Sequence, residues 1–330
     1  MIWKETFLVV WACVLLLSAC SSPRDIIFDA DIGSSTDDLM ALQLLLRRHD
    51  AGECRLSGVV VDRMGDSCVM VADVMDTYYG HPCVPLGTER DGVRLSKVFT
   101  PYTFILNDTT DEGKPLFART IKDCSELPDG WVLYRRLLSQ ADDHSVDIVA
   151  TGFVTSLAHL LLSPADSISP YSGIELVRRK VGTLYLMGTK LGEDNGLGYN
   201  LMYDTLAVQE LFRLWPSEVG IRISPSIVGD AIRYDPSLVV QDYSPQSPHP
   251  ILQTYRTTSI HDGQRMWDVL PVIHALKGDR WFRLSRCGTV RVSDSGEVVF
   301  ESKRGGNCRY QKPFRHQRKI RSVLKMIRPE

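Results

Sequence analysis

The sequence predicts an α/β fold in which an open, mostly parallel sheet carries helices on both faces and is followed by a C-terminal β-hairpin. Short apolar segments alternate along the chain with amphipathic segments of helical period. Strands that are joined through helices form parallel sheets covered on both faces. No internal repeat or low-complexity linker divides the chain. We therefore expect residues 21–330 to form a single domain.

The individual elements follow from hydrophobic period and turn residues. Residues 25–31 form an apolar run that ends in acid, and leucines share one face of the helix predicted over 37–50. Residues 288–302 alternate on either side of Asp294-Ser295-Gly296, which predicts the hairpin. The remaining segments, in chain order, are strand 55–62, helix 67–80, strand 146–152, helix 154–162, strand 180–188, helix 204–215, strand 218–226 and helix 267–278.

The N-terminal segment predicts export rather than a part of the fold. An apolar run from Phe7 to Ala19 follows a single lysine, and it is short for a membrane span. The run ends in Leu17-Ser18-Ala19-Cys20, which resembles a bacterial lipobox. We therefore expect residues 1–20 to be a lipoprotein signal peptide, Cys20 to be lipidated, and the protein to lie in the cell envelope, anchored to the membrane. An ordinary secretory signal with an incidental cysteine is the alternative.

Charge and cysteine spacing argue against two classes of function. The formal net charge of −2 gives no indication of a nucleic-acid partner. The cysteines after Cys20 contain no Cys-x-x-Cys pair, which argues against a zinc site. An exported protein can pair some of them in disulfides, but their connectivity does not follow from sequence.

The most informative stretch is residues 26–42, IIFDADIGSSTDDLMAL, which holds Asp29, Asp31, Asp37 and Asp38. Carboxylates this close repel one another unless a positive charge lies among them. The dipole of the following helix supplies only about 0.3–1 kcal/mol per charge. A divalent cation suffices, and all-oxygen ligands indicate calcium or magnesium.

Three other interpretations of this stretch fit its residues less well. An EF-hand loop requires glycine at Ser34 and an acid at Met40, so it is excluded. A phosphatase of the haloacid dehalogenase type also begins with a strand and Asp-x-Asp, but it usually has Thr or Val where Gly33 stands. Helix capping with surface charge explains one acid but not four.

The stretch DADIGSSTDDLMAL resembles the signature Asp-x-Asp-Pro-Gly-x-Asp-Asp of the inosine-uridine-preferring nucleoside hydrolases. It is closer to a variant branch with three residues between the glycine and the Asp pair. Three later segments resemble that family in the same order: DIVATGFVTSLAHLL, LYLMGTKLGEDNGLGYNLMYDTLAVQELF and GQRMWDVLPVIHAL. The resemblance runs from about residue 25 to 312 and implies a nucleoside hydrolase-like sheet fold.

The resemblance also implies roles for individual residues. The family's calcium ligands fall on Asp31, Asp38, Asp268 and the backbone carbonyl of Thr151, with one Ca²⁺ per chain expected. The catalytic base falls on Asp37, and Asp29 falls on a neighbouring acid. Ribose-contacting asparagines fall on Asn200 and, with a less certain alignment, on Asn195.

Together these residues imply calcium-dependent hydrolysis of the N-glycosidic bond of ribonucleosides or related N-ribosides, giving free base and ribose. The expected partner is therefore a small nucleoside or riboside, and whether the chain forms homo-oligomers stays open. The alternative is a non-catalytic lipoprotein that binds ribosides or sugars through the same metal. A base such as Asp37 beside the metal argues for the enzyme.

Two departures from the family leave part of the chemistry open. Gly198 stands where many members have glutamate, and Glu193 or Asp194 are candidates to replace it. Trp267 stands where better-known members have a histidine that assists the leaving base, and it can either stack on a base or pack in the core. His261 is a weak candidate for the missing acid.

Asp62 and Arg63 follow a predicted strand at a position where the family often has a substrate-contacting asparagine. Either residue can line the pocket, and both can equally be loop charge. The sequence leaves these two interpretations open.

Overall fold

Strands and helices alternate through the chain, as the sequence predicts. The computed structural model describes residues 23–33, 35–93, 101–258 and 262–329. Its strands are β1 Arg24–Ala30, β2 Cys54–Val61, β3 Leu86–Thr88, β4 Val146–Ala150, β5 Val181–Met187, β6 Gly220–Ser224, β7 Arg233–Tyr234, β8 Gln264–Arg265, β9 Gly288–Val292, β10 Val298–Ser302 and β11 Cys308–Tyr310. Its α-helices are α1 Thr36–Asp50, α2 Asp66–Tyr78, α3 Gly130–Gln140, α4 Thr155–Leu162, α5 Gly173–Lys180, α6 Tyr199–Met202, α7 Thr205–Leu214, α8 Ser226–Asp230, α9 Pro236–Tyr243, α10 Pro250–Thr258, α11 Val269–Lys277 and α12 Gln317–Ile327.

The main sheet has nine strands in the order β10-β9-β11-β6-β5-β4-β1-β2-β3. From β3 to β6, and on to β11, each neighbouring pair is parallel, whereas β9 pairs antiparallel with β10 and β11. The predicted C-terminal hairpin is therefore confirmed. Because β11 pairs with both β6 and β9, it joins the hairpin to the parallel part of the sheet.

Helices cover both faces of the sheet, which confirms the predicted layering. Alternate residues of β1 point to opposite faces: Ile26 and Phe28 belong to one core and Ile27 to the other. Helices α1, α2 and α11 contribute buried side chains to the first core, and α3, α4 and α7 to the second. The central strands are buried on both sides, so the site must lie at the edge where they end.

The predicted signal peptide, including Cys20, lies outside the residues that the structure describes. Among the helices of the described ranges, none is long and apolar enough to cross a membrane.

Candidate active site

The carboxyl ends of the central parallel strands bring several predicted residues together. β1 lies between β2 and β4, so the segments that follow these three strands are neighbours. The Asp62 amide donates a hydrogen bond to the Ala30 carbonyl at 3.2 Å, and the Thr151 amide donates to the Asp29 carbonyl at 2.8 Å. These bonds continue the sheet ladder and place the three loops side by side, as expected for ligand sites of open α/β sheets.

Asn200 joins two of the predicted metal ligands. Its Nδ2 donates to Asp31 Oδ1 at 3.0 Å and to the Thr151 carbonyl at 2.9 Å. Asn200 lies on the short helix α6 and is buried. The structure therefore brings the predicted ribose contact and these two predicted ligands into one group.

The two remaining predicted metal ligands are the carboxylates of Asp38 and Asp268. Asp38 lies in the first turn of α1, and Asp268 directly precedes α11. Both side chains are buried, and Oδ1 of each is without a hydrogen-bond partner among the described residues. Burial raises the pKa of each well above its usual range, and the surrounding carboxylates raise it further. A buried acid with an unpaired oxygen is costly unless a proton or a cation satisfies it.

Asp37 is the most heavily hydrogen-bonded member of the acidic cluster that it forms with Asp29, Asp31, Asp38 and Asp268. Its Oδ2 accepts from the backbone amides of Trp267 at 2.9 Å and Asp268 at 3.1 Å. Its Oδ1 accepts from Gln264 Nε2 at 2.9 Å and from the Ser35 hydroxyl. These donors fix the carboxylate and oppose the effect of burial, which raises the pKa of Asp37 to about 6. Gln264 could not be predicted as a partner of Asp37, because nothing in the sequence around this single polar residue marks it.

A positive charge is present in the cluster, and Arg63 carries it. Its Nη2 donates to Asp31 Oδ2 at 2.7 Å, and both side chains are buried. Neighbouring Asp62 is also buried, and its Oδ2 accepts from the amides of Phe153 at 2.6 Å and Val154 at 3.3 Å. Both residues lie in the loop after β2, as loop charge would, but they are buried within the cluster and not solvated. Since Asp62 holds the start of α4, it also fixes the neighbouring Thr151 peptide.

Two tyrosines that were not predicted from the sequence donate hydrogen bonds to acids of the cluster. The Tyr134 hydroxyl donates to Asp29 Oδ2 at 2.7 Å. Burial raises the pKa of Asp29 to about 7, and this hydrogen bond works in the opposite direction. The Tyr102 hydroxyl donates to Asp38 Oδ2 at 3.3 Å and accepts from the Gly33 amide at 2.5 Å. Neither tyrosine lies in a motif, so only the tertiary fold reveals it.

The remaining predicted substrate residues lie in different surroundings. Trp267 is half-buried, and its Nε1 donates to Asp230 Oδ1 at 3.2 Å. Asn195 is exposed in a turn, and its carbonyl accepts from the Val298 amide at 2.7 Å, so it contacts the hairpin. Its role as a ribose contact stays a prediction. His261 lies outside the described residues.

The position of Gly198 explains the first departure from the family pattern. Its backbone runs against Gly188, and a Cβ on Gly198 would lie 2.2 Å from the Gly188 carbonyl oxygen. A glutamate therefore does not fit in this backbone arrangement. The two candidate replacements, Glu193 and Asp194, are exposed, and Asp194 accepts from the Gly196 amide at 3.0 Å.

The donor set fits a hard divalent cation in its chemistry, although the side chains are not arranged around an ion. Among the described residues, no group of three or more His, Cys, Asp or Glu side chains is arranged to hold a metal. Asp31 is instead engaged by Arg63 and Asn200, whereas the free oxygens of Asp38 and Asp268 remain available. Carboxylate and carbonyl oxygens are the ligands that calcium and magnesium prefer.

A cavity of about 690 Å³ lies at the opposite end of the strands, where Asp25 and Arg55 contribute to its lining. None of the predicted site residues lines it. We assign the candidate site to the acidic cluster, because the predicted metal ligands and the predicted base lie there and not around the cavity.

Comparison with known proteins identifies the fold. No protein-family model and no curated protein sequence matches the chain. The inosine-uridine-preferring nucleoside hydrolase from Bacillus anthracis superposes with a TM-score of 0.68 at 16% identity, over 92% of this chain and 99% of that one. The fold is that of the nucleoside hydrolases. The predicted fold class is thereby confirmed.

Other solved structures with this fold include an enzyme and an effector. The purine-preferring ribonucleoside hydrolase from Gardnerella vaginalis gives a TM-score of 0.69 at 16% identity, over 92% and 98% of the two chains. The type III effector protein XopQ, solved in complex with adenosine diphosphate ribose, gives 0.63 at 17% identity, over 93% of each chain. At these identities the nucleoside hydrolase fold is shared, and the chemistry must be argued from the residues of the site.

Proposed function

We propose that this chain hydrolyses the N-glycosidic bond of ribonucleosides or related N-ribosides, releasing free base and ribose, with one calcium ion as cofactor. The observation that carries the proposal is the convergence of acids and an amide from distant segments at one edge of the sheet. Asp31, Asn200 and the Thr151 carbonyl share direct hydrogen bonds. Asp38 and Asp268 belong to the same cluster, and Oδ1 of each is buried without a hydrogen-bond partner among the residues that the structure describes.

The calcium ion would be held by Asp31, Asp38, Asp268 and the Thr151 carbonyl. When bound, such an ion supplies a positive centre that orients sugar hydroxyls and makes a nearby water more acidic. It would also compensate the carboxylates, whose pKa values burial raises. The buried Oδ1 atoms of Asp38 and Asp268, which have no hydrogen-bond partner in the described ranges, support this assignment.

Asn200 and Asp37 would perform the steps that belong to the chain itself. N-glycosidic hydrolysis passes through a transition state of oxocarbenium character, and the attacking water must lose a proton. Asp37 would accept that proton, since a base acts best when its pKa lies near the working pH and the pKa of Asp37 is raised to about 6. Asp37 must exchange one of its present donors for the water. The Asn200 amide would contact the sugar hydroxyls.

Trp267 would provide a surface for the base. Its indole is half-buried, and Arg265 lies 5.9 Å from its ring centroid. An aromatic ring at this place can stack on the planar leaving group, but it cannot protonate it. Protonation of the leaving base would then come from another group, for which His261 is a candidate, or the substrate would carry a base that leaves without it.

A non-catalytic riboside-binding protein is the second candidate. The observation that favours it is that both oxygens of Asp37 already accept hydrogen bonds, which suits a structural carboxylate as well as a base. The effector XopQ, with the same fold, was solved with adenosine diphosphate ribose bound. In this case the chain would bind a riboside and leave it intact.

Asp37→Asn separates the two candidates. In an enzyme, loss of the base lowers turnover by roughly 10²–10⁴-fold, while calcium binding and riboside binding largely survive. The measurements are initial rates on a panel of purine and pyrimidine nucleosides and calorimetric titration with the same ligands. A wild type that binds ribosides without cleaving them, together with equal binding by Asp37→Asn, would support the binding protein.

We also propose that the protein is a bacterial envelope lipoprotein, anchored to the membrane through a lipid on Cys20. The support is the lipobox-like Leu17-Ser18-Ala19-Cys20 after an apolar run. Such an anchor would place the site outside the cytoplasm, where nucleosides reach it from the surroundings.

A further inference from the structure

Arg63 is a buried cation inside the acidic cluster. The ion pair between its Nη2 and Asp31 Oδ2 has a separation of 2.7 Å, and the side chains of Arg63 and Asp31 are 1% and 5% exposed. The guanidinium carbon also lies 5.5 Å from the centre of the Phe153 ring. The arginine is therefore held between a carboxylate and an aromatic face, in a position well suited to a guanidinium group.

This pair divides the proposed ligands into two sets. Asp31 has no unengaged oxygen, because Oδ2 accepts from Arg63 and Oδ1 accepts from Asn200. Asp38 and Asp268, by contrast, each keep a buried Oδ1 without a partner among the described residues. A divalent ion therefore meets two available carboxylates and one that is already paired with a positive charge.

Two cations cannot both occupy the space beside Asp31 without repelling each other. Coulomb repulsion falls only inversely with distance, and it is strong where water is excluded. The charge of Arg63 therefore opposes metal coordination by Asp31 for as long as the ion pair persists. Without metal, the arginine partly compensates the buried acids.

We propose that Arg63 is a built-in counter-ion that competes with the divalent ion for Asp31, so that the cluster stays folded without metal and binds the metal weakly. This inference rests on the proposed function, because it takes calcium as the competing ion. Arg63 acts here as a positioning residue: it controls whether Asp31 is free to act as a ligand.

The test compares calcium affinity and thermal stability in three variants of Arg63. Arg63→Met and Arg63→Gln remove the charge, so each should tighten the calcium dissociation constant by about tenfold or more. In chelator, the same variants should melt roughly 5–15 °C below wild type, because the acids lose their counter-charge. Added calcium should recover most of that loss. Arg63→Lys keeps the charge and should retain a calcium affinity close to that of wild type.

Arg135→Met is the matched control. Arg135 is also fully buried and pairs with Asp166 at 2.7 Å, but neither residue belongs to the acidic cluster. Its loss should lower the melting temperature without changing calcium affinity. If Arg63→Met does not fold, Arg63→Gln provides the same comparison, since its amide can still donate to Asp31.

The outcomes separate this inference from the proposed function. Calcium binding that is equally tight in wild type, Arg63→Gln and Arg63→Met overturns the counter-ion role and leaves the metal-dependent function standing. Calcium affinity that rises equally in Arg63→Lys and Arg63→Gln also overturns it, because shape and not charge would then matter. If neither wild type nor any variant binds calcium, the proposed metal-dependent function is wrong. The proposed competition between Arg63 and calcium is then wrong as well.

Discussion

The backbone amide of Trp267 donates a hydrogen bond to Asp37 Oδ2 at 2.9 Å, although 230 residues separate them. This bond joins the start of α11 to the first turn of α1. The Trp267 indole itself donates to Asp230 Oδ1 at 3.2 Å. One short segment therefore holds the proposed base through its main chain and carries the tryptophan that we propose as a stacking surface.

Replacement of Trp267 tests whether its ring stacks on a base. We expect Trp267→Ala to weaken nucleoside binding by roughly 10- to 100-fold, the usual range for loss of one aromatic–base stack. Trp267→Phe should retain most of the affinity. The measurement is a calorimetric titration with inosine and, as control, with methyl riboside, which has no base. Equal losses for both ligands would show that the variant disturbs the sugar site and that no stacking occurs.

The primary effect of Asp38→Asn should be weaker calcium binding, and any loss of activity should follow from it. The amide removes the negative charge that an all-oxygen calcium site needs, so we expect at least about a tenfold higher dissociation constant and partial recovery of activity in excess calcium. Asp73→Asn is the control, because Asp73 is a buried acid that accepts from the amides of Thr120 and Ile121 outside the cluster. Equal calcium affinity in Asp38→Asn and wild type would remove Asp38 from the ligand set.

Gly198→Ala should disturb the sugar-binding side of the site. The added Cβ would lie 2.2 Å from the Gly188 carbonyl oxygen, so the backbone that leads into Asn200 has to move. We expect a loss of about 1–3 kcal/mol in stability, as for other overpacked sites, and weaker riboside binding. Gly196→Ala is the control in the same turn, where the nearest atom is a flexible Asp194 oxygen at 3.1 Å. Indistinguishable variants would contradict the packing argument.

His249 should make stability depend on pH. Burial lowers the pKa of His249 from 6.5 to about 4, and its ring contacts the Tyr79 hydroxyl at 3.0 Å and the Ile251 amide at 3.1 Å. Well above pH 6.5 the ring is neutral in the folded and the unfolded chain, so the lowered pKa does not change the free energy of unfolding. As pH falls towards 4 only the unfolded chain gains the proton, and the fold loses up to about 3 kcal/mol.

The measurement for His249 is urea unfolding at pH 7.5 and pH 4.5, for wild type and for His249→Gln. All other titrating groups, including those of the acidic cluster, are present in both proteins, so their contributions cancel when the two losses of stability are compared. Wild type should lose more stability than His249→Gln between the two pH values. Equal losses would show that His249 is not held neutral in the folded state.

Cys20 should carry a lipid in the mature protein. Mass spectrometry of protein from a bacterial membrane fraction is expected to find an N-terminal peptide that begins with a lipid-modified Cys20. Cys20→Ala should release the protein from the membrane fraction. A mature N-terminus at Ser21, or retention of Met1, would contradict the anchor.

The fold could be predicted from the sequence, and the acids of the candidate site could be named from it. Strand and helix periods are local, so β1, α1 and the hairpin follow from neighbouring residues. The four aspartates of residues 26–42 are neighbours in the sequence, so their proximity could be predicted from it. Asp268 is distant in the sequence, and only the resemblance to a family indicates that it joins them. All of these acids lie buried in the structure.

The partners of those acids could not be predicted, because they depend on tertiary contacts. Arg63 reaches Asp31 because β1 and β2 are parallel neighbours, and a basic residue after a strand is equally compatible with a solvated loop. The Tyr134 contact to Asp29 spans 105 positions, and nothing in its helix marks it. The exclusion of a glutamate at position 198 follows only from the approach of Gly188.

The most direct test of the proposed function is product release by the wild-type protein. Inosine, guanosine and uridine are each incubated with the purified wild-type protein, in excess calcium and after calcium removal, and free base and free ribose are quantified. We expect equal amounts of base and ribose from at least one nucleoside in calcium and a large loss of both after its removal. Intact nucleosides in excess calcium, with protein that is folded and binds both calcium and a riboside, would contradict the hydrolase and leave the binding protein.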